Sequence, residues 1–136
     1  MPLTDQALKP DSLSYVDGFW RLSLGLPWFR ALPLASVEFD SIRIGSTTYS
    51  PSDFEAETVK GWLVADWHER ETDRVARIEW FVQDRLSLRM PVSMAPTDEE
   101  LEVEVKVRIV TPNLFHEPGK PITIPNRLIA KLRPVR

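Results

Sequence analysis

The 136-residue chain predicts an all-β fold, an antiparallel β-sandwich or flattened barrel built as a single domain over 1-136. Three observations carry that expectation. Apolar residues alternate with polar ones at a period of two in several stretches, turn signals separate those stretches, and no apolar stripe recurs at the helical spacing of about 3.6 residues. About seven to ten short strands fit the pattern. The length allows one substantial core and not two ordinary domains.

Met1 to Tyr15 is polar, contains Pro10 and has little periodicity, so 1-15 is expected to be an N-terminal arm or edge element. The first clear strand is Phe19 to Leu26, where Trp20, Leu22, Leu24 and Leu26 alternate with Arg21, Ser23 and Gly25. In Val37 to Gly45, Val37 and Phe39 share one parity while Ile42 and Ile44 share the other, which predicts a bulge or bend near Asp40 and Ser41. Gly45-Ser46 then supplies a turn before a hairpin return at Thr47 to Tyr49. Pro51 to Asp73 is the least regular part. Phe54, Ala56 and Val59 fit one short strand, Gly61 to Ala65 fit another, and Asp66 to Asp73 reads as an exposed loop, with a helix the weaker alternative.

From Ala76 the alternation sharpens: Ala76, Ile78, Trp80 and Val82 lie on one face with Arg77, Glu79 and Phe81 opposite. A break at Gln83-Asp84-Arg85 precedes Leu86, Leu88 and Met90, giving two short strands or one long bent one. Pro91 and Pro96 bracket a polar crossover. The cleanest strand follows, with Leu101, Val103, Val105, Val107 and Ile109 alternating with Glu102, Glu104, Lys106 and Arg108. One face is wholly apolar and the other wholly charged, so it should cover a core and turn its back to solvent. Pro112 to Pro125 reads as loop-rich, and Leu128 to Leu132 as a last strand.

Composition narrows the function classes. A hydrophobic content of 43% and a charged content of 27% are those of a soluble globular protein. No apolar run approaches the roughly 20 residues that span a bilayer, and Met-Pro-Leu-Thr-Asp-Gln does not begin a secretory signal. With no cysteine there is neither a disulfide framework nor thiolate chemistry, in keeping with a cytoplasmic location. A net charge of −3 argues against nucleic-acid binding. After Thr111, however, Lys120, Arg127, Lys131, Arg133 and Arg136 stand against Glu117 alone, which describes a solvated or partner-facing edge.

The chain is chemically organised around Leu24 to Glu38. Leu26-Pro27 and Leu32-Pro33 frame a rigid non-helical loop, because proline fixes its own φ and pushes the preceding residue toward extended geometry. Trp28, Phe29 and Arg30 are carried on that frame, and aromatics with arginine are the residue types most often found as binding hot spots. Two readings stay open: the aromatics plug one end of the sandwich, or they touch a partner or ligand.

Catalytic signatures are missing. No Gly-rich phosphate loop, Gly-x-Ser-x-Gly elbow or His-Glu-x-x-His pair occurs. Asp66, His68, Glu69, Glu71 and Asp73 could hold a divalent ion, yet their spacing matches no known loop and a charged surface loop accounts for them better. His116-Glu117 could lean into a cleft but also reads as an ordinary turn before Pro118-Gly119. Glu79 and Asp84 could form an acid and base pair, although strand polarity explains them more simply. No catalytic and no metal residue is assigned to this chain.

Leu26-Pro27-Trp28-Phe29-Arg30-Ala31-Leu32-Pro33-Leu34-Ala35-Ser36-Val37-Glu38 resembles the aromatic, Arg, small residue, Leu-Pro-Leu, Ser, aliphatic, Glu signature of the small (beta) subunits of bacterial C-glycoside deglycosidases. Glu79-Trp80-Phe81-Val82-Gln83-Asp84-Arg85 is similar to that family's second landmark, and Leu101 to Ile109 to its third. Together they cover about two-thirds of the chain in the family's order. Where the family often continues with a proline and an aromatic after the Arg-Ile pair, this sequence has Val110-Thr111-Pro112-Asn113-Leu114-Phe115.

The resemblance implies a β-sandwich subunit that works with a larger TIM-barrel alpha subunit carrying a divalent metal, commonly Mn2+. This chain would hold no cofactor. The family cleaves the carbon-carbon bond between a 3-oxo sugar and an aromatic aglycone. A ketone at C3 acidifies the C2 proton, a base removes it, and the metal-stabilised enolate expels the aglycone carbon. Base and metal would sit at the barrel mouth of the alpha subunit. Trp28, Phe29, Arg30, Leu32 and Pro33 would line the shared substrate cleft or partner interface, with Arg30 offering a charge-assisted hydrogen bond. The alternatives are a stand-alone carbohydrate-binding sandwich, with Trp62 and Trp67 as stacking platforms, and an interaction domain without catalysis.

Overall fold

The computed structural model describes residues 7–26, 32–59, 61–66, 78–80, 84–92, 99–117 and 120–135. In chain order the strands are β1 (Leu13–Val16), β2 (Phe19–Gly25), β3 (Leu32–Pro33), β4 (Val37–Ile44), β5 (Thr47–Tyr49) and β6 (Glu55–Thr58). They continue as β7 (Gly61–Val64), β8 (Glu79–Trp80), β9 (Arg85–Pro91), β10 (Leu101–Glu117) and β11 (Lys120–Leu132). A five-stranded sheet has the order β1-β2-β9-β6-β7, a four-stranded sheet the order β11-β10-β4-β5, and β3 pairs with β8. Each pairing between these strands is antiparallel. The sheets do not close on each other, so the sandwich forms and the flattened barrel does not. Among the described residues no helix is long and apolar enough to cross a membrane.

The core follows from the period-two pattern. Trp20, Leu22 and Leu24 on β2 and Leu88 and Met90 on β9 are buried, as are Val103, Val105, Val107 and Ile109 on β10. Phe39, Ile42 and Ile44 of β4 complete the inner surface, and Phe39 meets Phe54 edge-to-face with ring centroids 5.6 Å apart. Each such apolar side chain contributes about 1.5–3 kcal/mol on burial. The expected bulge in β4 is present. Lys106 faces Ser41 and Val107 faces Phe39, which leaves Asp40 as the extra residue. The hairpin into β5 turns at Gly45, whose φ of 61° favours glycine.

Several expectations need correction. Pro112 to Pro125 is not loop: β10 continues to Glu117, and β11 returns from Lys120 with Arg108 opposite Pro125 and Phe115 opposite Pro121. β11 is an outer strand of its sheet, where a proline can leave the ladder intact by turning its missing N–H outward. Pairing of β10 with β4 stops at Ile109, so the rest of the hairpin is a two-stranded ribbon with shifts in register. The described residues form eleven strands, two of them only two residues long, against the seven to ten expected. The break before Arg85 yields two strands, β8 and β9. Nor is the outer face of β10 uniformly open to solvent, because Glu104 is 7% exposed beneath Arg127, Arg43 and Lys106. Of the two forms expected for 1-15, arm or edge element, the described residues give the second: Leu13–Val16 is the outer strand β1, and Ala7, Leu8 and Ser12 before it are buried.

Candidate functional site

Two of the segments singled out in the sequence meet at β3 and β8. Leu32 pairs with Trp80 and Pro33 with Glu79, and the Leu34 N–H donates to the Ile78 carbonyl at 2.7 Å. Pro33 suits this place because its φ of −57° leads into the 3-10 turn Leu34–Ser36, after which Val37 opens β4 opposite Ile109. Trp80 is 3% exposed, and its Nε1–H donates to the Asp84 carbonyl at 3.1 Å. That bond ties the end of β8 to the residue before β9.

Arg85, the first residue of β9, ties this corner together. Its Nε donates to Ser23 Oγ at 2.8 Å, and its Nη2 to Ser12 Oγ at 2.7 Å, the Ala7 carbonyl at 3.0 Å and the Ser23 carbonyl at 2.6 Å. Burial lowers the basicity of its guanidinium, and the charge of Asp11 opposes that effect. Arg85 lies opposite Gly25, where no cross-strand side chain competes for the space.

Between these parts lies a cavity of about 310 Å³. Leu34, Ile78, Trp80 and Leu86 supply its apolar lining, while Glu57, Asp84 and Arg85 add charge. The volume is near the lower limit of the range for small-ligand sites. Such a surface can receive a flat apolar group and orient it by charge. A second cavity of about 330 Å³ contains Glu38, Asp40, Asp66 and Arg108. There Arg108 pairs with Glu38 at 3.1 Å and with Asp40 at 2.8 Å. Among the described residues no three or more His, Cys, Asp or Glu gather in a way that could hold a metal ion.

Of the five residues expected at a cleft or interface, Leu32 and Pro33 form β3 beside the first cavity. Trp28, Phe29 and Arg30 lie outside the described residues, as do His68, Glu69, Glu71, Asp73 and Trp67. The backbone of His116 belongs to β10. Trp62 is not an open stacking platform, since the guanidinium carbons of Arg89 and Arg21 stand 4.0 and 5.0 Å from its ring centroid. In the sequence Arg85 stands in a strand break and closes the second family-like segment, with no role of its own assigned. The opposing glycine was the available signal, and it becomes visible only once the register of β2 and β9 is known.

No family model matches the chain. The chain is similar to a protein of Microbacterium sp. named 3'-dehydrocarminate deglycosidase beta subunit, with 32% identity over 88 residues. The matched region covers 64% of this chain and 63% of that relative, so it spans somewhat less than two-thirds of the relative's length.

Proposed function

We propose that this chain is the small, chemically passive subunit of a two-component C-glycoside deglycosidase. The observation that supports this reading best is the union of two of the segments resembling that family at one corner, where Leu32-Pro33 pairs with Glu79-Trp80 beside an apolar cavity. The similarity to a protein named as a beta subunit supports it independently. A larger TIM-barrel alpha subunit would supply the base and the divalent metal, Mn2+ in this proposal, that polarises the keto oxygen of a 3-oxo C-glycoside. The C2 proton leaves to the base, a C1–C2 double bond forms, and the C1–aryl bond breaks with protonation of the aglycone carbon.

In this reading the residues of this chain position and enclose. Trp28, Phe29 and Arg30, which the sequence places between Leu26 and Leu32, are in this proposal the residues that contact the barrel mouth or the aglycone and keep water from the reacting bond. The purified chain is expected to be inert toward a 3-oxo C-glycoside and to release free aglycone when mixed with its barrel subunit. Phe29→Ala and Arg30→Ala should each lower turnover or association by about tenfold or more, with the isolated chain melting as before. Cleavage by this chain alone, or a mixture no more active than the barrel subunit alone, would refute the proposal. Full activity and association in both variants would remove the loop assignment.

A further inference from the structure

The outer face of the five-stranded sheet holds an arrangement that the core does not require. Arg21 on β2 and Arg89 on β9 are direct cross-strand partners, and like charges in that relation weaken a ladder. Both guanidiniums lie against the Trp62 indole of β7. Arg89 is answered, because its Nε donates to Glu55 Oε1 at 2.9 Å while its head also lies 5.7 Å from the Phe19 ring centroid. Among the described residues Arg21 is not answered. Its side chain is half-buried and has no ion pair or hydrogen bond there, and its Nε is covered without an acceptor, so an acceptor from outside would meet the guanidinium through its terminal nitrogens. Unmet buried donors are costly and rare in native proteins.

The surroundings point to what would meet it. Phe19 is 39% and Val16 is 40% exposed, and the two are cross-strand partners. The patch therefore joins exposed apolar surface to arginine and tryptophan, the composition of an interface hot spot. It reaches across all five strands, roughly 20 Å at the usual strand spacing, a width suited to a protein surface. Arginine's planar fork matches a carboxylate, and Glu55 already shows that pairing on Arg89.

We propose that Arg21, Trp62 and Arg89 form a carboxylate-receiving site whose occupant is an acidic side chain of the partner subunit. The inference rests on the two-subunit reading above. Its test uses the full chain and the barrel subunit that activates it. Arg21→Gln should weaken association at least about 30-fold at low salt and flatten its salt dependence, with the melting temperature of the isolated chain little changed. Arg21→Lys should fall between, and Lys106→Gln on the outer face of the other sheet should match the wild type. In parallel, the Arg21 Nε–H resonance of the isolated chain is followed during titration with acetate against chloride at equal ionic strength.

Unchanged association and salt slope in Arg21→Gln would overturn the inference while leaving the two-subunit reading intact. A saturable acetate response with association unchanged would assign the site to a free carboxylate and overturn the partner assignment. A wild-type chain that neither binds nor activates the barrel subunit would overturn both.

Discussion

Glu104 sits in the middle of an outward-facing row of charge, yet other side chains cover it almost completely. Arg127 of β11 donates to it from Nε at 2.7 Å, and Lys106 and Arg43 approach to 3.7 and 3.9 Å. The Arg127 hydrogen bond is the largest influence holding its carboxyl below the ordinary value of 4.5; burial opposes it, and the charges of Arg127, Lys106 and Arg43 add to it. A carboxyl depressed in the folded state stabilises fully above its unfolded value, and that contribution is lost as pH falls through the folded value. Wild-type melting temperature should therefore fall more steeply than that of Glu104→Gln as pH drops from about 5 to about 2. Thermal melts across that range check it, and parallel curves would show that the carboxylate is not coupled to folding. The alternation of β10 made the outward direction of Glu104 legible in the sequence. Its burial was not, because Arg43 and Arg127 join the row only through pairing with strands some 60 residues before it and some 20 after it in the chain.

At the level of elements, sequence reading succeeded where the period-two pattern was local and failed where pairing overrode composition. The parity change between Phe39 and Ile42 marked the bulge at Asp40, since both parities had to face one core. The β10–β11 ribbon was missed because its prolines read as loop, whereas the fold places them in a hairpin that tolerates them. The bulge gives a sharp prediction. Deleting Asp40 leaves Val37, Phe39, Ile42 and Ile44 in strict alternation, so the chain should keep its fold and lose little beyond the ion pair of Asp40 with Arg108, an exposed pair of about 0–1 kcal/mol. Deleting Arg43 instead sets Ile42 and Ile44 on opposite faces, and forcing one isoleucine out of the core should cost about 2–5 kcal/mol. Urea unfolding of the two deletions distinguishes them, and equal losses would mean that the bulge does not set the register.

Across the whole molecule, the sandwich brings the segments that resemble a known family to one end, through Leu32 opposite Trp80 and Val37 opposite Ile109. The sequence carried the order of those segments, but their meeting required the long-range pairing of β3 with β8. Residues near the chain's end contribute something no local pattern announces. Val135 bridges Ser14 in parallel on the outer side of β1, donating its N–H to the Leu13 carbonyl at 2.8 Å and accepting the Tyr15 N–H at 3.0 Å. β1 would otherwise present a bare edge, and open strand edges recruit other strands. Val135 is itself 45% exposed, so its role lies in the backbone rather than in core packing. Val135→Pro removes the N–H and should cost about 1–3 kcal/mol by leaving the Leu13 carbonyl unmet. Val135→Ala keeps the donor and should remain near the wild type. The proline variant should also self-associate at concentrations where the other two stay dispersed, which sedimentation velocity over a dilution series would reveal. If proline and alanine behave alike in both stability and association, the bridge does not guard the edge, and β1 must be protected by its own short length.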